Sequence, residues 1–172
     1  MTIEVSSATT ARDLDEVRRL VREFVVWHRE RNVDDIDLID AYFDEAFERE
    51  LRDLPGEYAP PGGELLLAWD GDEAVGCVAI RRIDAETCEM KRMFVRAEAT
   101  GRGAGRALAN EIIDRARDAG YRWMQLDTSR RQVEAIALYR SLGFVPQPPP
   151  AGLDARHRAW LVFFRLDLCS GE

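Results

Sequence analysis

The sequence predicts a single α/β domain on a mixed (α+β) sheet, with elements in the order β-α-α-β-β-β-α-β-α-β-β across residues 1–172. Three observations point there. Strand-like runs lie at hairpin distances between Glu64 and Val95, which makes an antiparallel meander. A glycine-rich turn then opens a helix at Gly103 and a further strand follows at Tyr121, the strand–helix–strand order of a parallel crossover. The length of 172 residues holds one full core and falls short of two ordinary domains.

The elements follow from local chemistry. Thr2 to Ser6 alternates like an opening strand, and Thr10 with Asp13 has the spacing of a helix N-cap and its reciprocal partner. Leu14, Val17, Leu20, Val21, Phe24 and Val25 then recur at three- and four-residue intervals and bury one helical face. A second helix is expected from Asp34 or Asp35 to Leu54, ended by Pro55-Gly56. After the loop Glu57 to Gly63 come strands at Glu64 to Trp69, Ala74 to Ile83 and Glu86 to Val95, with Gly76 as a candidate bulge. The helix Gly103 to Ala119 stops at Gly120, and the strand Tyr121 to Asp127 leads to a helix at Val133 to Leu142 that Gly143 ends. Phe144-Val145 is extended. The prolines at 146 and 148–150 cannot join a central ladder, which puts the final strand at Ala159 to Leu168.

Composition narrows the function. Hydrophobic content of 46% and charged content of 33% are globular values. No apolar run approaches the ~20 residues that span a bilayer, and the N-terminus lacks a secretory signal, so a soluble chain in the cytoplasm is expected, with no membrane partner. Cys77, Cys88 and Cys169 show neither metal spacing nor an even number, which reads as reduced thiols and no metal. A net charge of −8 argues against nucleic-acid binding. Residues 30–57 hold eleven acids against three arginines, so this segment carries the whole net charge.

The stretch from Glu86 to Leu108 is the expected site of chemistry. Glycines 101, 103 and 105 let a ligand approach the unpaired N–H groups of a helix start, where the dipole favours anions. Lys91, Arg92, Arg96, Arg102 and Arg106 add positive charge. A phosphorylated ligand is therefore expected. A Walker loop is ruled out because Gly105 is followed by Arg106-Ala107. A dinucleotide fingerprint is closer, with Asp127 about 20 residues on, but Leu108 stands where the third glycine belongs.

Glu89-Met-Lys-Arg-Met-Phe-Val95, Thr100-Gly-Arg-Gly-Ala-Gly105, Ala135-Ile-Ala-Leu-Tyr139 and Gly143-Phe144, in that order, resemble the Gcn5-related N-acetyltransferase (GNAT) family. The family usually opens the turn with Arg or Gln where this chain has Thr100, which leaves the backbone donors in place. The resemblance implies the acyl-CoA N-acyltransferase fold and acetyl transfer from acetyl-CoA to a primary amine by direct attack in a ternary complex. It implies that backbone groups of Met93, Phe94 and Val95 hold pantetheine, with the Met93 N–H near the thioester oxygen. It also implies that the pyrophosphate rests on N–H groups of Gly101, Arg102, Gly103, Ala104, Gly105 and Arg106, beside Thr100. Gln132 falls where the family often has an Asn that touches the cofactor. The acceptor is a small-molecule or peptide amine, and a homodimer is the assembly that the resemblance suggests.

By the same resemblance Tyr139 is the general acid; its alternative role is an aromatic packed on a helix face. Glu89 stands at the offset that carries the general base in the histone-acetylating branch, and strand alternation would put it on the same face as Met93 and Val95. Its alternative is a cross-strand partner for an arginine. Lys91 reads as a phosphate-side or solvated charge, and His28 and His157 as structural. Because the segment between the first helix and the hairpin borders the acceptor entrance in the resembled family, its acids suggest a cationic acceptor, unless they are merely solvated. The competing class is a coenzyme A-binding sensor or partner-binding module without turnover.

Overall fold

The computed structural model describes residues 2–170. Seven strands form one sheet in the order β1-β2-β3-β4-β5-β7-β6. They are β1 (Ile3–Ser7), β2 (Glu64–Asp70), β3 (Glu73–Arg82), β4 (Thr87–Val95), β5 (Trp123–Ser129), β6 (Val145–Gln147) and β7 (Leu161–Asp167). Every neighbouring pair is antiparallel except β4 and β5. That parallel pair is short: Thr87, Cys88 and Glu89 pair with Trp123, Met124 and Gln125, and then the strands part.

Helices cover both faces. The alternation of β2 sends Leu66 and Ala68 into a core with Leu108, Ile112 and Ala116 of α4 (Ala104–Asp118), which also takes in Tyr139 of α5 (Val133–Ser141). Leu65 and Leu67 go to the other face, against Val17, Leu20 and Val21 of α1 (Ala11–Arg31). The Thr10–Asp13 capping box is present at the start of α1. Gly76, expected as a bulge, sits beside one: the β2–β3 register shifts after Ala68, and a Cβ at Gly76 would meet the Phe94 carbonyl oxygen at 2.8 Å.

Two expectations fail locally. The helix expected from residue 34 to 54 is a 3₁₀ turn (Val33–Asp35), α2 (Ile36–Tyr42) and α3 (Glu45–Arg52). Asp44 breaks it, because its carboxylate accepts from the Ala46 and Phe47 N–H groups and so starts a new helix inside an unbroken apolar period. In the late loop Asp154 caps Arg156 and His157 in the same way, giving α6 (Ala155–Trp160) ahead of β7. Among the described residues no helix is long and apolar enough to cross a membrane.

Candidate active site

Parting of β4 from β5 opens the sheet at its centre, and three spaces with partly shared walls lie around that gap. The first is a cleft of about 590 Å³ on the glycine-turn side, walled by Trp27, Met93, Phe94, Val95, Leu138 and Tyr139. Gly101, Gly103, Gly105 and Arg106 also line it. Gly101 (φ 79°) and Gly103 (φ 87°) sit in left-handed backbone, and Gly103 is the N-cap of α4. The N–H groups of residues 103–106 form no backbone hydrogen bond with another described residue, as expected for a first helical turn. An open cradle of donors beside an apolar wall suits a phosphorylated ligand with a long thin arm, which is the shape of coenzyme A.

Side chains of the turn do less than its backbone. The Thr100 hydroxyl donates to the Arg96 carbonyl at 3.2 Å, Arg102 pairs with Asp70 at 2.6 Å, and Ala104 is buried. Arg106 donates to Ser141 Oγ at 2.9 Å from the cleft wall. Arg96 is likewise taken by Glu23 and Glu73. The run of bases read from the sequence is thus largely neutralised by acids far away in the chain.

Next comes a small cavity of about 100 Å³ at the point where the strands part. Phe24, Met93, Gln132, Ala135 and Tyr139 line both the cleft and this cavity. Tyr139 is 5% exposed, and burial, with the Asp127 charge nearby, raises its phenol well above the ordinary value. His28 lines the cavity too, stacked on Phe24 at 5.4 Å. Asn32 Nδ2 donates to the His28 carbonyl at 2.9 Å and lies 3.1 Å from Nδ1, so Nδ1 accepts and Nε2 carries the proton. Gln132 Nε2 lies 3.4 Å from the same Nδ1, and burial lowers the imidazole's proton affinity. His28 is a neutral wall of the site, a place its helical spacing did not reveal.

The third space is a chamber of about 710 Å³ on the far side, reached through a wall that it shares with the cavity: Tyr42, Lys91, Arg92, Asp127 and Leu161. Asp127 accepts from the Tyr42 hydroxyl at 3.1 Å, and burial, only partly offset by Lys91, raises its carboxyl above the ordinary value. Glu50 of α3 holds Arg92 through two bonds of 2.8 and 2.7 Å and takes the Tyr58 hydroxyl at 2.6 Å. The Arg92 guanidinium lies 4.8 Å from the Phe47 ring centre.

Arg92 also corrects the strand reading. Its φ of 59° marks a bulge on β4, where Arg92 and Met93 together oppose one residue of β3. An extra residue reverses the alternation. Met93 and Val95 pack on the α4 face, whereas Glu89, paired across to Arg81, falls on the α1 face with Cys77 and Ala79. Glu89 therefore does not share a face with Met93 and Val95. Its carboxylate, 12% exposed, accepts from Arg81 Nε at 2.8 Å and borders none of the three spaces. Lys91 is equally displaced from its sequence reading: it lines the cavity and the chamber, away from the glycine turn, and its ammonium lies 5.9 Å from the Tyr42 ring centre.

The acidic segment does not present an open field. Asp35 pairs with Arg131, Asp37 with Arg156, Asp40 with Arg29, Glu48 with Arg22, Glu50 with Arg92 and Glu57 with Arg81. A count along the chain could not foresee these partners.

Residues 18–144 match the sequence model described as the acetyltransferase (GNAT) family. The chain belongs to that family. An N-acetyltransferase of Schizosaccharomyces pombe is 35% identical over 86% of this chain and 85% of its own. The IAA acetyltransferase of Azospirillum brasilense is 40% identical over 69% of this chain and 81% of its own. The GNAT fold is shared with the PaiA N-acetyltransferase of Thermoplasma acidophilum, solved in complex with coenzyme A, at a TM-score of 0.76 and 18% identity over 97% of this chain and 99% of that one. As a GNAT protein the chain is an acetyltransferase.

Proposed function

We propose that the protein transfers an acetyl group from acetyl-CoA to a primary amine, with cofactor and acceptor entering from opposite sides of the gap between β4 and β5. One observation carries the reading: the central cavity shares wall residues with the cleft on one side and with the chamber on the other, Tyr139 among the first set and Asp127 among the second. Backbone of Met93, Phe94 and Val95 and the donors of Gly101, Gly103, Gly105 and Arg106 would hold the cofactor, with Gln132 alongside. When bound, acetyl-CoA supplies an acyl group activated as a thioester.

The chain's own residues then have separate tasks. Asp127, desolvated and raised in proton affinity, takes the proton from the acceptor's ammonium, leaving a nucleophilic amine facing the cavity. The Met93 N–H stabilises charge on the acyl oxygen, an interaction worth ~3 kcal/mol in comparable sites. Tyr139 stays protonated in its dry pocket and would give its proton to the departing sulfur, whose own proton affinity the same desolvation raises, while the second proton shed by the acylated nitrogen restores the phenol. Glu89, the base suggested by family offset, acts at a distance by raising the proton affinity of Asp127. Apolar walls at Phe24, Leu126 and Trp160 exclude water and protect the thioester.

The test is thiol release from acetyl-CoA across a broad amine panel, with mass spectrometry of the acceptor. Acetylated amine formed in step with thiol is the expected result. Tight binding of coenzyme A with no turnover on any amine would overturn the reading.

A further inference from the structure

The lining of the central cavity holds two donor side chains without a hydrogen-bond acceptor among the described residues, and one of them, Lys91, also borders the chamber. Lys91 is the chain's only lysine, part-buried, and its ammonium forms no ion pair and no hydrogen bond with a described residue. Nearby carboxylates are committed elsewhere: Glu89 and Glu57 to Arg81 at 2.8 and 3.1 Å, Glu50 to Arg92 at 2.7 Å. Trp160 is 7% exposed and lines the same cavity, and its Nε1 is buried without an acceptor. A buried donor left unpaired costs free energy, and the Trp160 indole beside a part-buried, unpaired ammonium suits an anionic partner.

Strand register shows where that partner would sit. Glu89 pairs with Gln125 in the last step of the parallel ladder, so Lys91 and Asp127, each two residues further on, stand opposite one another across the opening. They are too far apart to form an ion pair, and both border the cavity and the chamber. A molecule in the gap meets an ammonium on one side and a carboxylate on the other.

We infer that the acceptor is a small zwitterion of the amino-acid type, with its amine toward Asp127 and its carboxylate toward Lys91 and the Trp160 indole N–H. The inference rests on the amine-acetylation reading and narrows its substrate class. A polyamine or other polycation would set positive charge against Lys91 with Arg81 and Arg92 close by, which disfavours the cationic acceptor expected from the acid count. A carboxylate one carbon from the amine completes both sides of the gap, and charge-assisted bonds of this kind are the stronger ones.

The experiment compares the standard amino acids with their carboxamides, which keep the amine and side chain and lose the anion. The parent enzyme should show kcat/KM at least about tenfold higher for the preferred acid than for its amide. In Lys91→Met that ratio should fall toward one, mainly through KM for the acid, and Lys91→Arg should restore part of it. Coenzyme A affinity of each variant reports folding. Amides used as well as acids by the parent, or an acid preference that survives Lys91→Met, would overturn the anion site while leaving acetyl transfer intact. Calorimetry on the coenzyme A-loaded protein separates the two readings from the other side. Acids that bind in preference to amides without releasing thiol would uphold the site and overturn transfer, and acids neither bound nor turned over would overturn the site.

Discussion

The cleft beside the glycine turn and the chamber beyond the parted strands border one cavity yet are built from different materials. The cleft takes most of its wall from one continuous stretch, residues 93–106, and its polar groups are main-chain donors of a helix start. The chamber is assembled from α2, α3, the end of β3, the middle of β4, β5, the loop before α6 and β7, and its polar groups are charged side chains, several of them held in pairs. Backbone donors at a helix start are set by a short run of glycines and stay in place whatever the ligand's other end looks like. Paired side chains from distant segments depend on the whole fold, and they are what one acetyltransferase can vary from another.

Asp127→Asn strikes the joint between the two regions and should have the largest effect. A loss of about a thousandfold in kcat/KM is expected, together with the loss of the acidic limb of the pH profile. Stability should not fall with it. The folded state raises the Asp127 carboxyl above its ordinary 3.8, so ionising that carboxyl at neutral pH costs stability that an amide does not. Thermal unfolding at pH 7 should give Asp127→Asn a Tm no lower than the parent's. Glu89→Gln is the counter-case. Held by Arg81 and bordering none of the three spaces, it should keep the parent's profile shape, and a lost acidic limb there would return the base to Glu89.

Glu50→Ala tests the chamber as a charge network. It strands Arg92, whose side chain is 8% exposed, and should destabilise the protein by about 3 kcal/mol in urea titration. Burial alone would raise the Glu50 carboxyl, but Arg92 and the Tyr58 hydroxyl outweigh it and hold the folded value below the ordinary 4.5. Its contribution is therefore complete above pH 4.5 and is lost as pH falls through the depressed value, a component missing from the acid unfolding of the variant.

Tyr139→Phe should lower kcat by about a hundredfold with little change in KM for acetyl-CoA, because the lost bond matters only as the thiolate leaves. The smallest effect is expected in the cleft. Gly103→Val forces a branched side chain onto a φ of 87° and should weaken coenzyme A binding by about tenfold, ~1.4 kcal/mol by calorimetry, with turnover of bound substrates little changed.

Local rules carried the sequence reading a long way. Apolar spacing at 14–25 and at 108–116 located helices, the Thr10–Asp13 pair located a cap, and the order of Glu89–Val95, Thr100–Gly105 and Ala135–Tyr139 was enough to recognise the family. What it missed was decided by longer-range physics. Asp44 broke a helix because a carboxylate near two free N–H groups outweighs an unbroken apolar period. The bulge at Arg92 reversed the facing of Glu89 relative to Met93, and alternation counted along one strand contains no sign of an inserted residue. Asp127, which the sequence offered only through an incomplete dinucleotide fingerprint, and His28 are wall residues of the cavity because strands and helices far apart in the chain close on the same gap. Periodicity, caps and glycine turns are written within a few residues of where they act, so the sequence by itself determined most of the elements, the fold and the glycine turn. Ion pairing and strand facing depend on which distant segments are brought together, and only the tertiary structure decided those.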